Sequence, residues 1–166
     1  MKDQERIVIK NTDIITPYRI LKQGTLVIEN GKIAAVNKGC DESFCDGAVY
    51  DAKGSYSAAG FIDIHTHGAG GCDFADGTPE AFTRAAKTQL AHGTTLLLPT
   101  VAAAGKEHIL SVIAAYQKAK QSSEYGNMLY GLHMEGPYFA MEQRGALDPV
   151  YIRNPEEKEY REMKEK

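Results

Sequence analysis

The hydrophobic and polar positions of the chain follow two different patterns, one after the other. In the first segment, short apolar runs such as Gly24–Ile28 and Lys32–Val36 alternate with polar stretches, which is typical of strands. The Asn30-Gly31 pair between these two runs is the strongest short-range signal of a β-hairpin. Residues 1–56 are therefore predicted to form a small antiparallel module.

The second segment alternates strand-like and helix-like patterns. The predicted strands are Phe61–His67, Thr94–Thr100 and Met128–Glu135, and the predicted helices cover about 79–92, 106–121 and the residues from 155 onward. Strands joined by helices of this length favour parallel βαβ units. A complete (β/α)8 barrel needs about 200 residues or more. The pattern of residues 57–166 therefore predicts an α/β fold with about three βα units of an incomplete, truncated TIM-like barrel.

Capping residues set the expected ends of two helices. Thr78 is a suitable N-cap before Pro79, and Gly93 is a suitable stop signal. Asn154 and Pro155 open the last helical pattern in the same way. Both helices are therefore expected to begin at the proline.

Two histidines close the first strand of the second segment. Residues i and i+2 of a strand share a face, so His65 and His67 can approach one metal ion, with Asp63 behind them. The opposite face, with Ile62 and Ile64, is expected to pack under helices. Active sites of parallel barrels lie at the carboxyl ends of the strands. The pair is thus a candidate metal site, although histidines at this spacing also occur as packed or surface residues.

A carboxylate ends the third strand of the same segment. Glu135 shares a face with His133 and stands just before Gly136-Pro137, where the strand must stop. A carboxylate at this end of a barrel strand is typical of a site and not of the scaffold. The predicted metal ligands are therefore His65, His67 and Glu135, and His133 is expected to orient a ligand or the substrate.

Three other features are assigned no chemistry. The Gly68–Gly71 stretch lacks the lysine and the spacing of a phosphate-binding loop and is expected to be a flexible βα loop near the substrate. Cys72 has no identifiable activating base, so it is not expected to act as a nucleophile. His92 and His108 fall away from the strand ends and are given structural or solvent roles.

Composition narrows the class of protein. The chain has 166 residues, of which 43% are hydrophobic and 25% charged, and a net charge of -3 without a basic stripe. These values are typical of a globular protein and argue against a nucleic-acid partner. Three cysteines without a framework pattern favour a reducing compartment. No apolar run approaches the roughly 18 residues of a membrane span, so we expect a cytoplasmic protein with no membrane partner.

Several motifs carry a resemblance to a known family. They are Glu29–Ile33, Gly60–Gly68, Asp76–Glu80, Gly93–Thr95, Leu98–Thr100, Gly131–Phe139 and Arg144–Ala146. Together they resemble the N-terminal part of the N-acetylglucosamine-6-phosphate deacetylases, in the amidohydrolase superfamily. The His-x-His motif indicates only the superfamily, whereas His-x-Glu-Gly-Pro in this context is specific to the deacetylase branch.

The resemblance implies a fold, a reaction and a cofactor. The fold is a TIM-like barrel beside a small β-sandwich, and the reaction is hydrolysis of N-acetylglucosamine 6-phosphate to glucosamine 6-phosphate and acetate. The cofactor is a divalent metal, zinc or iron, with one or two ions in the complete enzyme. Glu135 matches the family's metal-ligating glutamate, and His65 and His67 match the pair in members that hold a second metal. Ala146 matches a position that contacts the sugar.

The chain also departs from the family pattern. Leu147 stands where many relatives carry a polar residue, often histidine, which bears on sugar specificity. The family's catalytic aspartate and two further histidine ligands belong to later strands, beyond residue 166. We therefore expect no catalytic residue in this chain, and a truncated chain that is inactive alone.

Two alternative functions remain open. One is an amidohydrolase that acts on a cyclic amide, although the His-x-Glu-Gly-Pro motif argues against it. The other is a non-catalytic remnant that serves as an interaction module and binds no metal. Whatever the function, an open piece of parallel barrel exposes apolar surface and strand edges, so the chain is expected to be a homo-oligomer, partly disordered or distorted from the family fold.

Overall fold

A computed structural model of the chain describes residues 6–39 and 47–166. The chain divides into two compact units, Met1–Ala59 and Gly60–Lys166. Cys40 and Cys45 lie outside the described residues. The structure therefore does not describe two of the three cysteines on which the expected reducing compartment rests. Cys72 is a free thiol.

The first unit is a five-stranded sheet. Its strands are β1 (Arg6–Ile15), β2 (Ile20–Glu29), β3 (Lys32–Lys38), β4 (Ala48–Asp51) and β5 (Tyr56–Ser57). The predicted hairpin is present, because β2 and β3 pair antiparallel around a turn in which Asn30 and Gly31 both have positive φ, 50° and 74°. Glycine adopts this conformation without steric cost and asparagine more readily than most residues, which explains the sequence signal.

The sheet of the first unit is mixed and not purely antiparallel as expected. β4 and β5 both pair parallel with β1, on the edge that β2 leaves free. Strands of four and two residues are too short to give a periodic pattern, which is why the sequence did not indicate them.

The second unit is a parallel sheet covered by helices. Its elements are β6 (Phe61–Thr66), β7 (Gly68–Ala69), β8 (Cys72–Asp73), α1 (Pro79–Ala91), β9 (Thr94–Ala102), α2 (Lys106–Ser122), β10 (His133–Glu135) and α3 (Glu157–Glu165). The sheet order is β10-β9-β6, with both neighbours parallel to β9. The predicted alternation of strand and helix is therefore present.

The core of this unit lies between β9 and the helices. Phe82 of α1, Leu97 of β9, Val112 of α2 and the following Leu129 are fully buried there. Thr78 caps α1, since its side chain accepts a hydrogen bond from the backbone N–H of Ala81. β9 is the central strand, and the two strands that carry the candidate ligands lie on either side of it.

The third predicted strand is shorter than expected. Only His133–Glu135 is a strand, while Gly126–Met128 forms a 3-10 turn. The side chains of Tyr116 and Lys120 donate hydrogen bonds to the carbonyl of Leu129, and Lys120 also donates to that of Tyr130. These carbonyls are satisfied by side chains, so this segment does not require a continuous ladder.

Two further expectations need correction. Ile62 and Ile64 were expected to pack under helices but are 65% and 64% exposed, because α1 packs on β7, β8 and β9. The last helix begins at Glu157 after the N-cap Glu156, and not at Pro155. The glycine stretch Gly68–Gly71 lies in the connection between β6 and α1, as expected, and includes the turn of a short hairpin of β7 and β8, which the sequence did not indicate.

Among the described residues, no helix is both long and apolar enough to cross a membrane.

Candidate metal centre

Three side chains meet at the carboxyl end of the parallel sheet. The Oε2 atom of Glu135 lies 3.1 Å from Nε2 of His67 and 3.6 Å from Nε2 of His65. The possible ligand atoms of the three residues all lie within 4.8 Å of one another. The side chains of His65 and His67 are 49% and 43% exposed and that of Glu135 is 29% exposed, so the cluster is open to solvent on one side.

Strand β6 presents the two histidines through an irregular end. Its pairing with β9 shifts register between Asp63 and Thr66. At this shift, the carboxylate of Asp63 accepts a hydrogen bond from the backbone N–H of His65, at 3.0 Å. Thr66, between the histidines, donates its N–H to the hydroxyl of Thr100 on β9, at 3.1 Å. Side chains thus hold the backbone where the regular ladder is interrupted.

Strand β10 presents Glu135 from the opposite side of β9. Glu135 is in register with Ala102, the last residue of β9. Leu132 and Met134 pack against the buried core, so the alternate residues His133 and Glu135 face the other way. The packing of two apolar side chains therefore fixes the face on which the carboxylate lies.

His133 lies beside the cluster but is not one of its three members. Its ring centroid is 4.9 Å from that of His65, and its Nδ1 atom is 3.2 Å from the hydroxyl of Thr100. Because Nδ1 of His133 already contacts a hydroxyl, this position suits a residue that orients a neighbouring group. The sequence predicts the same role for His133.

The chemistry of the three donors fits a divalent ion. Two imidazoles and one carboxylate form a ligand set that zinc accepts in catalytic sites, where a fourth position stays open. One oxygen of the Glu135 carboxylate lies close to the Nε2 atoms of both imidazoles. A divalent cation bound there would complement the negative charge of the carboxylate. His65, His67 and Glu135 could therefore hold such an ion.

A cleft of about 480 Å³ adjoins the cluster. Its lining residues are His67, Ala102, Glu135, Phe139, Gln143, Arg144, Gly145, Ala146 and Leu147. Ala146 and Leu147, the two positions with implied sugar contacts, thus line the same cleft as two of the candidate ligands. The sequence indicated no role for Arg144 itself, whose Nη1 donates to the carbonyls of Gly145 and Leu147 and holds this loop in shape.

A buried ion pair lies behind the loops of the site. Glu159 of α3 is only 6% exposed, and its carboxylate accepts hydrogen bonds from Arg153 and from the hydroxyl of Tyr138. Arg153 also donates to the carbonyl of Ala104, in the loop after β9. Arg153 and Glu159 therefore connect α3 to the segments that follow β9 and β10.

These contacts shift two pKa values in opposite directions. The hydrogen bonds from Arg153 lower the pKa of Glu159 below its usual value, against the opposing effect of burial. Burial and the hydrogen bond to the Glu159 carboxylate raise the pKa of Tyr138 to about 12. At neutral pH the group consists of an anionic Glu159, a cationic Arg153 and a neutral Tyr138 that donates its hydroxyl proton.

Cys72, His92 and His108 are not members of the cluster. Sγ of Cys72 is 3.9 Å from Nη1 of Arg84, which cannot serve as a base. Nδ1 of His92 is 2.8 Å from the carbonyl of Thr88 in its own helix. His108 lies in the first turn of α2, and its carbonyl accepts a hydrogen bond from Ser111.

Comparisons with known proteins point to one family. A model of the amidohydrolase family matches residues 56–166. The chain is 34% identical to the N-acetylglucosamine-6-phosphate deacetylase of Haemophilus influenzae, over 90% of this chain and 39% of that protein. It is 28% identical to the protein of the same name from Bacillus subtilis, over 90% of this chain and 38% of that one.

A comparison with a solved structure points to the same family. The N-acetylglucosamine-6-phosphate deacetylase of Pasteurella multocida superposes with a TM-score of 0.83 at 27% identity, over 95% of this chain and 41% of that one. The chain thus spans about two fifths of the length of these relatives. It has the mixed α/β fold of the corresponding part of these structures. Because the family model matches well over half of the chain, the protein belongs to the amidohydrolase family.

Proposed function

We propose that the chain provides the metal-binding part of a deacetylase that hydrolyses N-acetylglucosamine 6-phosphate to glucosamine 6-phosphate and acetate. The observation that carries this proposal is the convergence of His65, His67 and Glu135 beside a cleft that also contains Ala146. The names of the relatives at 28–34% identity support the choice of substrate.

The metal would be zinc or iron, held by His65, His67 and Glu135. When bound, such an ion polarises an amide carbonyl and makes a nearby water more acidic. Other residues of the chain would position the sugar substrate. Ala146 and Leu147 would contact the sugar, and Arg144 would keep their loop in shape through its two carbonyl contacts.

We propose that this chain is inactive on its own. Hydrolysis of an amide requires a group that accepts a proton from water and returns it to the leaving amine. Asp63 is the nearest aspartate in sequence to the histidines, and one of its carboxylate oxygens accepts the backbone N–H of His65, which gives it a role in the backbone of β6. The resemblance assigns the proton transfer to an aspartate beyond residue 166, so we assign no catalytic residue within this chain.

The architecture of the complete enzyme is part of the proposal. The three parallel strands would be the first strands of a TIM-like (β/α)8 barrel formed from residue 57 onward, and residues 1–56 would belong to a small β-sandwich. The similarity to the Pasteurella multocida structure supports this assignment. We further propose a cytoplasmic protein, on the basis of its cysteine pattern.

Self-association of the 166-residue chain is a separate prediction. Phe61, Ile62 and Ile64 of strand β6 are 64–69% exposed, and such apolar strand surface favours association. We expect light scattering coupled to gel filtration to give a mass of at least a dimer at micromolar concentration. A monodisperse monomer would contradict the proposed homo-oligomer.

Acetate release tests the proposed reaction. The 166-residue chain and any longer product of the same reading frame would be stripped with chelator, reloaded with zinc or iron, and supplied with N-acetylglucosamine 6-phosphate. We expect acetate release only from the longer product and only with metal. N-acetylgalactosamine 6-phosphate and a cyclic amide serve as competing substrates, because Leu147 lines the cleft where relatives often carry a polar residue.

The alternatives make different predictions in the same experiment. Turnover of the cyclic amide alone would favour the other branch of amidohydrolases. A chain that retains no zinc or iron after reloading would favour an interaction module. Acetate release by the 166-residue chain alone would contradict the assignment of the proton transfer to a later segment.

A further inference from the structure

The hydroxyl of Thr100 joins the two strands that carry the candidate ligands. Thr100 lies on β9, between β6 and β10, and its side chain is fully buried. Its Oγ1 atom accepts the backbone N–H of Thr66 and lies 3.2 Å from Nδ1 of His133. Thr66 is the residue between His65 and His67, and His133 is two residues before Glu135. One buried hydroxyl therefore contacts both sides of the site.

The protons of this small network can be assigned by elimination. The backbone N–H of Thr66 is a fixed donor, so it occupies one lone pair of the Thr100 oxygen. The hydroxyl proton of Thr100 then needs an acceptor, and Nδ1 of His133 is the acceptor within reach. If Nδ1 carried a proton instead, the buried hydroxyl proton would have no acceptor among these contacts. The penalty for an unsatisfied buried donor corresponds to roughly tenfold or more in population.

The backbone near Thr66 explains why a side chain is needed there. The pairing of β6 with β9 is irregular between Asp63 and Thr66, and Thr66 is the residue whose N–H the Thr100 hydroxyl accepts. The Thr100 hydroxyl supplies the acceptor for Thr66 at the position where the regular ladder is interrupted. Replacing this hydroxyl with a methyl group would therefore affect the strand end that presents His65 and His67.

We propose that Thr100 is a positioning residue that holds neutral His133 in the tautomer with its proton on Nε2. His133 then presents a hydrogen-bond donor beside His65 and is not a metal ligand, which agrees with its absence from the three-residue cluster. An Nε2–H group suits an oxygen atom of an amide, a hydroxyl or a water. The functional consequence rests on the proposed deacetylase reaction, whereas the tautomer itself does not.

Nuclear magnetic resonance of the metal-free chain tests the tautomer directly. Long-range proton–nitrogen correlations at about pH 8, where free imidazole is neutral, show which ring nitrogen of His133 carries the proton. We expect Nε2–H in the wild type and in Thr100→Ser, which keeps the hydroxyl. In Thr100→Val we expect both tautomers to be populated. A proton on Nδ1 in the wild type, or an unchanged tautomer in Thr100→Val, would overturn the proposal.

Metal affinity provides a second readout. Groups that orient ligating residues typically contribute 10–100-fold to metal affinity, and the Thr100 hydroxyl holds the backbone between His65 and His67. Thr100→Val should therefore bind zinc about 10-fold or more weakly than the wild type, with Thr100→Ser close to the wild type. Thr94→Val is the matched control, since Thr94 is also a buried threonine of β9 but its hydroxyl contacts Gln89. An equal loss in Thr94→Val would reduce the effect to general destabilisation and overturn the positioning role.

The two readouts separate this proposal from the proposed function. A wild-type chain with Nε2–H on His133 that binds no zinc would contradict the proposed metal centre but not the tautomer. A chain that binds zinc with the proton of His133 on Nδ1 would contradict the role of Thr100 but not the metal centre. The wild-type spectrum decides the tautomer even if Thr100→Val does not fold.

Discussion

Replacement of Glu135 by glutamine is expected to weaken zinc binding to the chain by at least about 100-fold. The carboxylate is the only anionic member of the three-residue cluster, and its Oε2 faces both imidazoles. A neutral amide oxygen is a much weaker ligand, and even residues that only support a ligand contribute 10–100-fold. Competition with a chromophoric zinc chelator measures the change.

The matched control for this prediction is Glu142→Gln. Glu142 is an exposed carboxylate in the 3-10 turn Met141–Gln143, in the segment that leads into the cleft, and is not part of the cluster. The Glu142→Gln substitution removes one negative charge, as Glu135→Gln does, but leaves all three candidate ligands in place. Zinc affinity should therefore stay within about twofold of the wild type. Equal losses in the two variants would mean that net charge, and not ligation, determines zinc binding.

The candidate site could be predicted from local pattern because its residues lie at, or directly after, the ends of parallel strands. A period of two places alternate side chains on one face, and parallel strands end at the same edge of a sheet. His65, His67 and Glu135 follow from these two rules and the choice of residue types. Ala146 followed only from the resemblance, since no periodic pattern covers the loop in which it lies.

The supporting residues could not be predicted in the same way. Thr100 lies in an apolar run and reads as a β-branched residue of a buried strand, with no local signal for its contacts 33 and 34 residues away. Lys120 similarly reads as a solvated residue of α2, yet its ammonium group binds the carbonyls of Leu129 and Tyr130. Tertiary contacts of this kind depend on packing that sequence periodicity does not encode.

The exposed face of β6 is a second example of a tertiary contact that the sequence pattern leaves undetermined. The alternation of Ile62 and Ile64 indicates an apolar face, but it does not indicate what covers that face. In the described residues, α1 and α2 cover β9, where Leu97 and Val101 are buried. Pattern therefore predicts which residues share a face and leaves the partner of that face undetermined.

The second large effect is expected for stability, at the ion pair of α3. Glu159→Gln should lower the free energy of unfolding of the second unit by about 3 kcal/mol, because removal of one partner leaves the guanidinium of Arg153 partly buried without its anion. Urea denaturation monitored by circular dichroism measures the loss. Glu157→Gln is the control, since Glu157 pairs with Arg161 in the same helix but both side chains are about 65% exposed.

The control should change stability by less than about 0.5 kcal/mol, as is usual for an exposed pair four residues apart. Similar losses in Glu157→Gln and Glu159→Gln would indicate that helix propensity or net charge, and not the buried contact, determines the result.

The pH dependence of this effect follows from the direction of the two pKa shifts. The pKa of Glu159 is lowered from 4.5 in the folded chain, so its stabilisation is complete above about pH 4.5 and is lost as the pH falls through the lowered value. The pKa of Tyr138 is raised from 10.0 to about 12, so the contribution of its neutral hydroxyl is complete below about pH 10 and is lost as the pH rises toward 12.

The stability difference between the wild type and Glu159→Gln should therefore be constant from about pH 5 to 9 and shrink on the acid side. Other carboxylates with lowered pKa values, such as Glu162, cancel in this difference because both proteins contain them. A difference that does not shrink as the pH falls through the acid range would contradict the assignment of this stabilisation to the charge of Glu159.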